Sequence, residues 1–309
     1  MSEQEMLKIF DKHHVEQGIA TREDVHKKGY WHEAFHCWFV GEVNGELSIY
    51  LQIRSSLKKD YPNLLDITAA GHLLADETIE DGVREVHEEL GIQVTMQELV
   101  PLGIISYSVA KGAFLDNEFA HVYLYKNAPN FDLFHLQEEE VSGMVRMSLK
   151  DFTEMWLGER TTLYGEGFEV MEGDKHVFYN RIIHKKKFVQ HVPAYYETVI
   201  KRIEIERMKE LLLKGWSLQS SSKWTADNPA CGQCSVTSLV MQDVFGGIIL
   251  KTRCEDGWHF YNQIDGMRYD FTASQFSSTI NYDDIVSSRE EAFQDTNHQQ
   301  YEYLLKKLR

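Results

Sequence analysis

The chain has 309 residues, of which 43% are hydrophobic and 26% are charged, and its formal net charge at pH 7 is −16. This composition is typical of a soluble globular protein, and the length suggests two domains. The negative charge argues against binding to nucleic acid or to anionic membranes, because either partner would need a basic surface.

The N-terminal segment MSEQEMLKIFDKHH lacks the apolar core of a signal peptide, and the sequence has no run of 18 apolar residues. Four cysteines in a chain of this length do not form a disulfide framework. We therefore expect a cytoplasmic protein without a membrane partner. The sequence leaves the oligomeric state open, with a homodimer among the alternatives.

Residues 35–54 contain two apolar runs, FHCWFV and LSIYLQI, which predict a β-hairpin that turns at Asn44-Gly45. Further elements are predicted along the chain, namely strands within 94–109, 119–126 and 138–149 and a helix over 150–159. The strands flank an acidic helical segment, and this order predicts an α/β/α sandwich with a mixed sheet.

The acidic segment, residues 71–92, reads GHLLADETIEDGVREVHEELGI. On a helix, Glu85, Glu88 and Glu89 are spaced i, i+3 and i+4, so their carboxylates share one face. Three like charges on one turn repel one another unless a cation neutralises them. Mg²⁺ and Mn²⁺ prefer oxygen ligands, and Mg²⁺ usually also holds substrate phosphates. We therefore predict a divalent metal site on this helix.

The same segment resembles the Nudix box, Gly-x5-Glu-x7-Arg-Glu-U-x-Glu-Glu-x-Gly-U, in which U is a bulky aliphatic residue. Its fixed positions are filled here by Gly71, Glu77, Arg84, Glu85, Glu88, Glu89, Gly91 and Ile92. One departure is visible, because six residues rather than seven separate Glu77 from Arg84. The resemblance implies a Nudix hydrolase that cleaves a diphosphate linkage of a nucleoside-diphosphate-type or related small molecule with Mg²⁺ or Mn²⁺. We expect Arg84 to pair with Glu77 in a structural role.

The residues around the box resemble the isopentenyl-diphosphate isomerase-like branch of the superfamily, over roughly the first 150 residues. That branch builds a metal site from histidines and acidic residues, and the matching positions here are His26, His32, His72, Asp116 and Glu118. Glu89 matches a further acidic position, and the spacing from His26 to His32 is one residue shorter than in the isomerase. Basic residues that would hold a diphosphate match at Arg22, Arg54 and Lys58.

Ala70 argues against isomerase activity, because the isomerase has a catalytic cysteine at this position and alanine cannot transfer a proton. The complete box favours hydrolysis instead. An isomerase-like enzyme and a catalytically silent, ligand-sensing module remain the alternatives. The candidates for the general base are the box glutamates, Glu118 and the loop residues Glu138, Glu139 and Glu140. His36 and Cys37 are expected to serve only strand packing.

From Pro193 onward, apolar residues recur at helical spacing, and a serine-rich segment follows Trp216. We predict a domain boundary near residue 205, with a Nudix domain over 1–205 and a small α+β domain over 206–309. About the last 100 residues resemble the YunG-like family, a resemblance that implies no activity.

The second domain contains a candidate thiol site. We expect a loop to deliver Cys234 to the start of a helix, where the helix dipole favours a thiolate. His259 and Asp270 would lie on the two strands of a hairpin that turns at Asp265-Gly266. This order of nucleophile, base and orienting carboxylate is that of papain- and transglutaminase-like folds.

Gln233, next to the cysteine, could donate a hydrogen bond to an oxyanion. Three other interpretations remain open for the thiol. Cys231 and Cys234 form a CxxC pair that could be redox-active, or they could bind zinc together with Cys254 and His259. Alternatively, Cys234 is simply buried at a helix start.

Overall fold

The computed structural model describes residues 4–171, 175–255 and 257–308 of the chain. Two compact units are present, Met1–Ile203 and Glu204–Arg309. In the described segments, no helix is both long enough and apolar enough to cross a membrane.

In its described residues, the first unit contains one branched sheet and four α-helices. Its strands are β1 (Met6–Phe10), β2 (Glu16–Thr21), β3 (Trp31–Val43), β4 (Glu46–Arg54), β5 (Leu65–Asp66), β6 (Ala69–His72), β7 (Leu99–Lys111), β8 (Phe114–Tyr125), β9 (Val141–Ser148), β10 (Thr162–Met171) and β11 (Lys175–His184). Its helices are α1 (Arg22–Lys28), α2 (Arg84–Leu90), α3 (Leu149–Trp156) and the start of α4 (Pro193–Gly215), which continues into the second unit.

The main path of the sheet runs in the order β11-β10-β9-β4-β3-β1-β2, with the remaining strands paired beside it. Strand β8 lies parallel to β3, from Trp31 opposite Asn117 to Phe39 opposite Tyr125. The other pairings between the described strands of this sheet are antiparallel. The sheet is therefore mixed, as predicted.

The sheet separates two hydrophobic cores, because successive side chains of a strand point to opposite faces. In β3, for example, Trp38 belongs to one core and Phe39 to the other. Helices α3 and α4 contribute to the first core, and α2 contributes Val86 and Leu90 to the second. Helices thus cover both faces, which confirms the α/β/α sandwich.

Several local predictions are confirmed. The first hairpin turns at Asn44 and Gly45, whose φ angles of 52° and 82° suit a tight turn. The predicted strand at 119–126 and the helix at 150–159 correspond to β8 and α3. Two hairpins were not predicted, β1–β2 and β10–β11. In β11 most side chains are exposed, so the strand lacks the apolar alternation on which such a prediction depends.

The second unit pairs a small sheet with short helices. Its elements are α5 (Cys234–Phe245), β12 (Ile248–Cys254), β13 (Gly257–Ile264), β14 (Met267–Tyr269), β15 (Ile285–Val286), α6 (Arg289–Ala292) and α7 (His298–Leu308). The antiparallel strands lie in the order β14-β13-β12-β15. The hairpin β13–β14 turns at Asp265 and Gly266, as predicted, and the small α+β unit is confirmed.

The first turns of α4 pack on α3 through Tyr196, which stacks on Trp156 with ring centroids 3.7 Å apart. Its hydroxyl donates to the Val189 carbonyl at 2.9 Å. We expect Tyr196→Ala to lower the free energy of unfolding by about 3–5 kcal/mol. The control Tyr196→Phe keeps the ring and should cost about 1 kcal/mol. Urea denaturation followed by near-UV circular dichroism measures both, and equal losses would contradict the packing argument.

Candidate functional site

Helix α2 carries the acidic box, and its local sequence explains which side it buries and why it ends at Gly91. Val86 and Leu90 are fully buried, so one side of the helix faces the core. Gly91 ends the helix at a φ of 71°, and its N–H donates to the His87 carbonyl at 2.8 Å. A Cβ at Gly91 would lie 2.6 Å from that of His135. Glycine is therefore required here by conformation and by space.

Arg84 holds the box together. Its guanidinium binds both carboxylate oxygens of Glu77, at 2.5 and 2.9 Å, which confirms the predicted pair. The same side chain also donates to Glu85 at 2.5 Å and to Glu88 at 3.1 Å. Partial burial works to raise the pKa of Glu77, but the bonds from Arg84 and from the Leu74 N–H lower it below the ordinary value. Bidentate contacts of this kind fix orientation as well as charge.

The three box glutamates differ in burial. Glu85 and Glu89 are buried, whereas the Glu88 side chain is 52% exposed. All three line one cavity of about 460 Å³. Among the described residues, however, they do not form a group with three ligand atoms within 4.8 Å of one another. Glu89 accepts hydrogen bonds from the Ala70 N–H at 3.1 Å and from the Gln52 amide at 3.2 Å.

Burial makes the charged forms of the Glu85 and Glu89 carboxylates unfavourable. Desolvation raises the pKa of Glu85 to about 7, although Arg84 acts against it. Desolvation, followed by the charge of Glu85, also raises the pKa of Glu89 well above its ordinary value. A divalent cation would stabilise both carboxylates in their charged form. The residues present therefore fit the metal that the box implies.

Four elements of the first unit bring the five predicted histidine and acidic ligands together. His26 comes from α1, His32 from β3, His72 from β6, and Asp116 and Glu118 from β8. The three histidines form one group with ligand atoms within 4.8 Å, and His32, Asp116 and Glu118 form another. Asp116 Oδ1 lies 3.7 Å from His26 Nε2 and 3.6 Å from His32 Nε2. His72 Nε2 lies 3.9 Å from Glu118 Oε1.

The imidazoles of this cluster are prepared to act as neutral ligands. Burial, the charge of His32 and the charge of Arg22 lower the pKa of His26 to about 4. Burial likewise lowers the pKa of His32 and of His72. The Nδ1 atoms of His26 and His32 contact the carbonyls of Arg22 and Tyr30, at 2.9 and 3.2 Å. When Nδ1 donates to a carbonyl in this way, the lone pair of Nε2 is available to bind a metal.

Three buried polar atoms in this cluster lack a hydrogen-bond partner, namely His26 Nε2, His32 Nε2 and Asp116 Oδ1. Buried polar atoms are normally satisfied, so an unpartnered set that converges on one point calls for a ligand. Two nitrogens and a carboxylate oxygen suit a divalent transition metal such as Mn²⁺. The donor set therefore fits a metal ion.

A second cavity, of about 400 Å³, lies against this cluster. Its basic lining residues are Arg22, Arg54, Lys58 and Lys59. Arg54 already pairs with Asp66 at 2.8 Å, and Lys58 forms a close ion pair with Glu140. His72 and Glu140 line this cavity and also the cavity beside the box helix. The histidine cluster and the box are thus neighbours.

Several residues of this cavity were not predicted from the sequence. His36 was expected only to pack within its strand, but it lines the cavity and lies 3.3 Å from Glu118. Its other nitrogen contacts the Tyr195 hydroxyl at 2.7 Å. Tyr107, also on the cavity wall, donates a short hydrogen bond to Glu118. Alternation along β3 places His36 on the same face as His32, and this spacing was the available signal. Cys37, by contrast, is fully buried in the opposite core, as expected.

In the second unit, the structure brings the predicted thiol-site residues together. Cys234 is the first residue of α5, His259 lies on β13, and Asp270 follows β14. His259 Nε2 lies 2.6 Å from Asp270 Oδ2, and the same imidazole interacts electrostatically with the Cys234 thiol. Asp270 was predicted to lie on the second strand of the hairpin, but it is the first residue after that strand.

Comparisons with known proteins give matches in both units. A family model described as NUDIX domain matches residues 30–164, and one described as YunG protein matches residues 204–309. An uncharacterized Nudix hydrolase of Clostridium acetobutylicum is 37% identical over 201 residues, covering 65% of this chain and 98% of that protein. The uncharacterized protein YunG of Bacillus subtilis is 58% identical over 100 residues, covering 32% of this chain and 87% of that protein. Isopentenyl-diphosphate Delta-isomerase 2 of Photorhabdus laumondii is 29% identical over 121 residues, covering 39% and 66% respectively.

Gly71 offers a test of how the box is built, because a Cβ at this position would lie 2.2 Å from the Glu85 carboxylate. We expect Gly71→Ala to displace that carboxylate from Arg84 and to destabilise the protein by about 1–3 kcal/mol. In a Glu85→Ala background the obstacle is gone, so the same substitution should cost little. A double-mutant cycle by urea denaturation measures this coupling. Equal costs in the two backgrounds would show that Glu85 is not what excludes a side chain at Gly71.

Proposed function

The chain belongs to the Nudix hydrolases and carries a YunG domain, and we propose that its first unit hydrolyses a diphosphate linkage of a small molecule with Mg²⁺ or Mn²⁺. The observation that carries this proposal is the pair of buried carboxylates, Glu85 and Glu89, next to a cavity with basic residues on its wall. Buried carboxylates suit a divalent cation, and basic side chains suit phosphate.

Glu85, Glu88 and Glu89 would hold one ion, and the histidine cluster with Asp116 and Glu118 would hold another. Such ions, when bound, neutralise phosphate charge and lower the pKa of an attacking water. Arg22, Arg54 and Lys58 would contact the diphosphate and orient it. Because Arg54 and Lys58 are paired with Asp66 and Glu140, their first role is to keep positive charge fixed at the cavity wall.

The positions of the candidate residues in the two cavities reduce the number of candidates for the general base. Of the three loop candidates, Glu139 and Glu140 line the cavity beside the histidine cluster, and Glu140 also lines the cavity beside the box helix. Burial works to raise the pKa of Glu118, but the contacts from His36 and the charges of His32 and His72 hold it well below its ordinary value. A carboxyl so stabilised as an anion suits metal binding better than proton transfer. We therefore favour Glu118 as a ligand. Among the loop candidates we favour Glu140 as the base because of its position between the two cavities, although, against the effect of burial, the ion pair with Lys58 lowers the pKa of this carboxyl as well.

Hydrolysis is favoured over isomerisation because Ala70 lies on the cavity wall and its methyl group cannot carry a proton. A nucleoside-diphosphate-type substrate is the leading class. A screen of nucleoside, sugar-nucleotide, coenzyme A and isoprenoid diphosphates, read by phosphorus NMR, tests the class directly. Double-bond migration in isopentenyl diphosphate without phosphate release would overturn hydrolysis. Tight binding without turnover under Mg²⁺ and Mn²⁺ would identify a sensing module instead.

Glu89→Gln should lower kcat by about a hundredfold or more, because it removes a buried carboxylate while keeping the shape of the side chain. Glu88→Gln should likewise lower kcat. The matched control is Glu159→Gln, since Glu159 is exposed and lines neither cavity. Initial rates on the best substrate of the screen give the comparison. Turnover by Glu89→Gln equal to that of wild type would rule out this assignment of the box.

His32→Gln should weaken Mn²⁺ binding to the histidine cluster at least tenfold, because it removes a fully buried ligand nitrogen. The control is His87→Gln, an exposed histidine on α2 that contacts Gln93. Isothermal titration of full-length protein with Mn²⁺ resolves this without any substrate. Binding should also weaken as the pH falls, because protons compete for the imidazoles. Identical titrations for His32→Gln and wild type would contradict a metal at the cluster.

A further inference from the structure

We propose that the second unit carries a separate catalytic site, in which Cys234 attacks an acyl carbonyl with His259 as the base and Asp270 as its orienting partner. The three residues come from a helix start, a strand and the segment after the next strand, and they meet in one place. All three residues belong to the second unit, so the proposed activity is separate from diphosphate hydrolysis.

Asp270 is fully oriented. One carboxylate oxygen accepts from the Thr272 N–H at 2.9 Å and from the Thr272 hydroxyl at 3.1 Å. The other oxygen binds His259 Nε2 at 2.6 Å and accepts from the Tyr282 hydroxyl at 2.9 Å. The side chain is only 5% exposed, so it cannot turn toward solvent. A carboxylate held in this way fixes the tautomer and the direction of the imidazole.

His259 is likewise held in one orientation. Phe276 meets its ring edge-on, with centroids 4.8 Å apart, and Tyr261 stacks on it at 6.0 Å. Because Asp270 takes Nε2, Nδ1 is the nitrogen left for the thiol and for the Gln275 amide, which lies 3.4 Å away. The imidazole is buried, whereas Cys234 as a whole residue is only partly buried.

The electrostatics favour a thiolate–imidazolium pair. Burial works to raise the pKa of Cys234, but the interaction with His259 and a hydrogen bond from the Phe260 backbone lower it below the ordinary value. Burial works to lower the pKa of His259, but Asp270 and Cys234 raise it to about 9. Among the described residues, two tyrosines lie beside this pair, namely Tyr282, whose hydroxyl donates to Asp270, and Tyr261, whose ring stacks on His259. At neutral pH these do not carry charge.

Gln233 supplies the second, independent observation. It is fully buried next to Cys234, and neither its amide nitrogen nor its amide oxygen has a hydrogen-bond partner. A buried amide without partners is destabilising and is normally avoided. Its NH₂ group, together with the N–H groups of the first turn of α5, could donate to the oxyanion of an attacked carbonyl.

Redox and zinc roles fit less well. Cys231 and Cys234 are free thiols, and Cys234 contacts an imidazole. Within 4–171, 175–255 and 257–308, no group of three metal-ligand atoms includes a cysteine. The contacts of His259 are those of a base rather than of a metal ligand, because both of its nitrogens face protein groups.

The reaction balances with water as the only co-reactant. The Cys234 thiolate forms an S–C bond with the carbonyl carbon of an ester, thioester or amide, and the bond to the leaving group breaks. The leaving group takes the proton from the His259 imidazolium. Water then attacks the thioester and His259 accepts its proton. The S–C bond breaks to release a carboxylic acid, and the starting thiolate–imidazolium pair is restored.

The test uses the full-length chain and p-nitrophenyl acetate as the acyl probe, with mass spectrometry of acid-quenched protein. We expect one acetyl group on Cys234, none at that site in Cys234→Ser, and full labelling in the control Cys231→Ser. Acetyl groups spread evenly over Cys231, Cys234 and Cys254, or absent from Cys234, would overturn the proposal.

A second measurement separates chemistry from structure. The rate of alkylation of Cys234 by iodoacetamide should reach half its maximum below pH 8.5, the value of an ordinary thiol. In His259→Asn that midpoint should rise, with the rate at pH 7 reduced at least tenfold, and Asp270→Asn should shift it in the same direction. Circular dichroism confirms that each variant is folded. A midpoint that does not move in either folded variant would show that His259 and Asp270 only support the fold.

Discussion

The first unit depends on one electrostatic constraint, the burial of two carboxylates a helical turn apart. Glu85 and Glu89 repel each other in a region that also disfavours their charge, and the surrounding residues compensate. Arg84 binds Glu85 from one side, and Glu77 fixes Arg84. Gly71 leaves room for the carboxylate, which a methyl group would displace. The fixed residues of the box thus hold two mutually repelling carboxylates in place, where a cation would stabilise both.

The buried histidines of the first unit and His259 of the second unit have pKa values shifted in opposite directions. In the first unit, burial lowers the pKa of His26 to about 4, and it also lowers those of His32 and His72. These rings stay neutral, as metal ligands must. In the second unit, His259 is also buried, yet Asp270 and Cys234 raise its pKa to about 9. Burial alone therefore does not fix the direction of the pKa shift of a histidine. The charged groups that contact the ring decide whether it stays neutral or becomes protonated.

Much of this could be predicted from the sequence where local patterns carry the information. The box helix, the Asn44-Gly45 hairpin and the meeting of Cys234 with His259 follow from spacing and turn chemistry. The exposed hairpin β10–β11 could not be predicted, because its side chains show little apolar alternation. Long-range pairings were also hidden, as with Lys58 and Glu140, or Arg54 and Asp66, because only the closed sheet brings them together. His36 was misjudged for the same reason, since its partner Tyr195 lies in a distant helix.

The parallel pairing of β3 with β8 has a consequence for how the protein folds. It sets His32 directly opposite Glu118, although 85 residues of chain lie between them. Parallel pairings of this kind close late, because the entropy of a long loop must be lost before the contacts form. An ion at this cluster would bind only chains in which α1, β3, β6 and β8 have all docked, and by mass action it would stabilise those chains alone. The concentration of the metal would then raise the fraction of completely folded molecules, independently of any catalytic turnover.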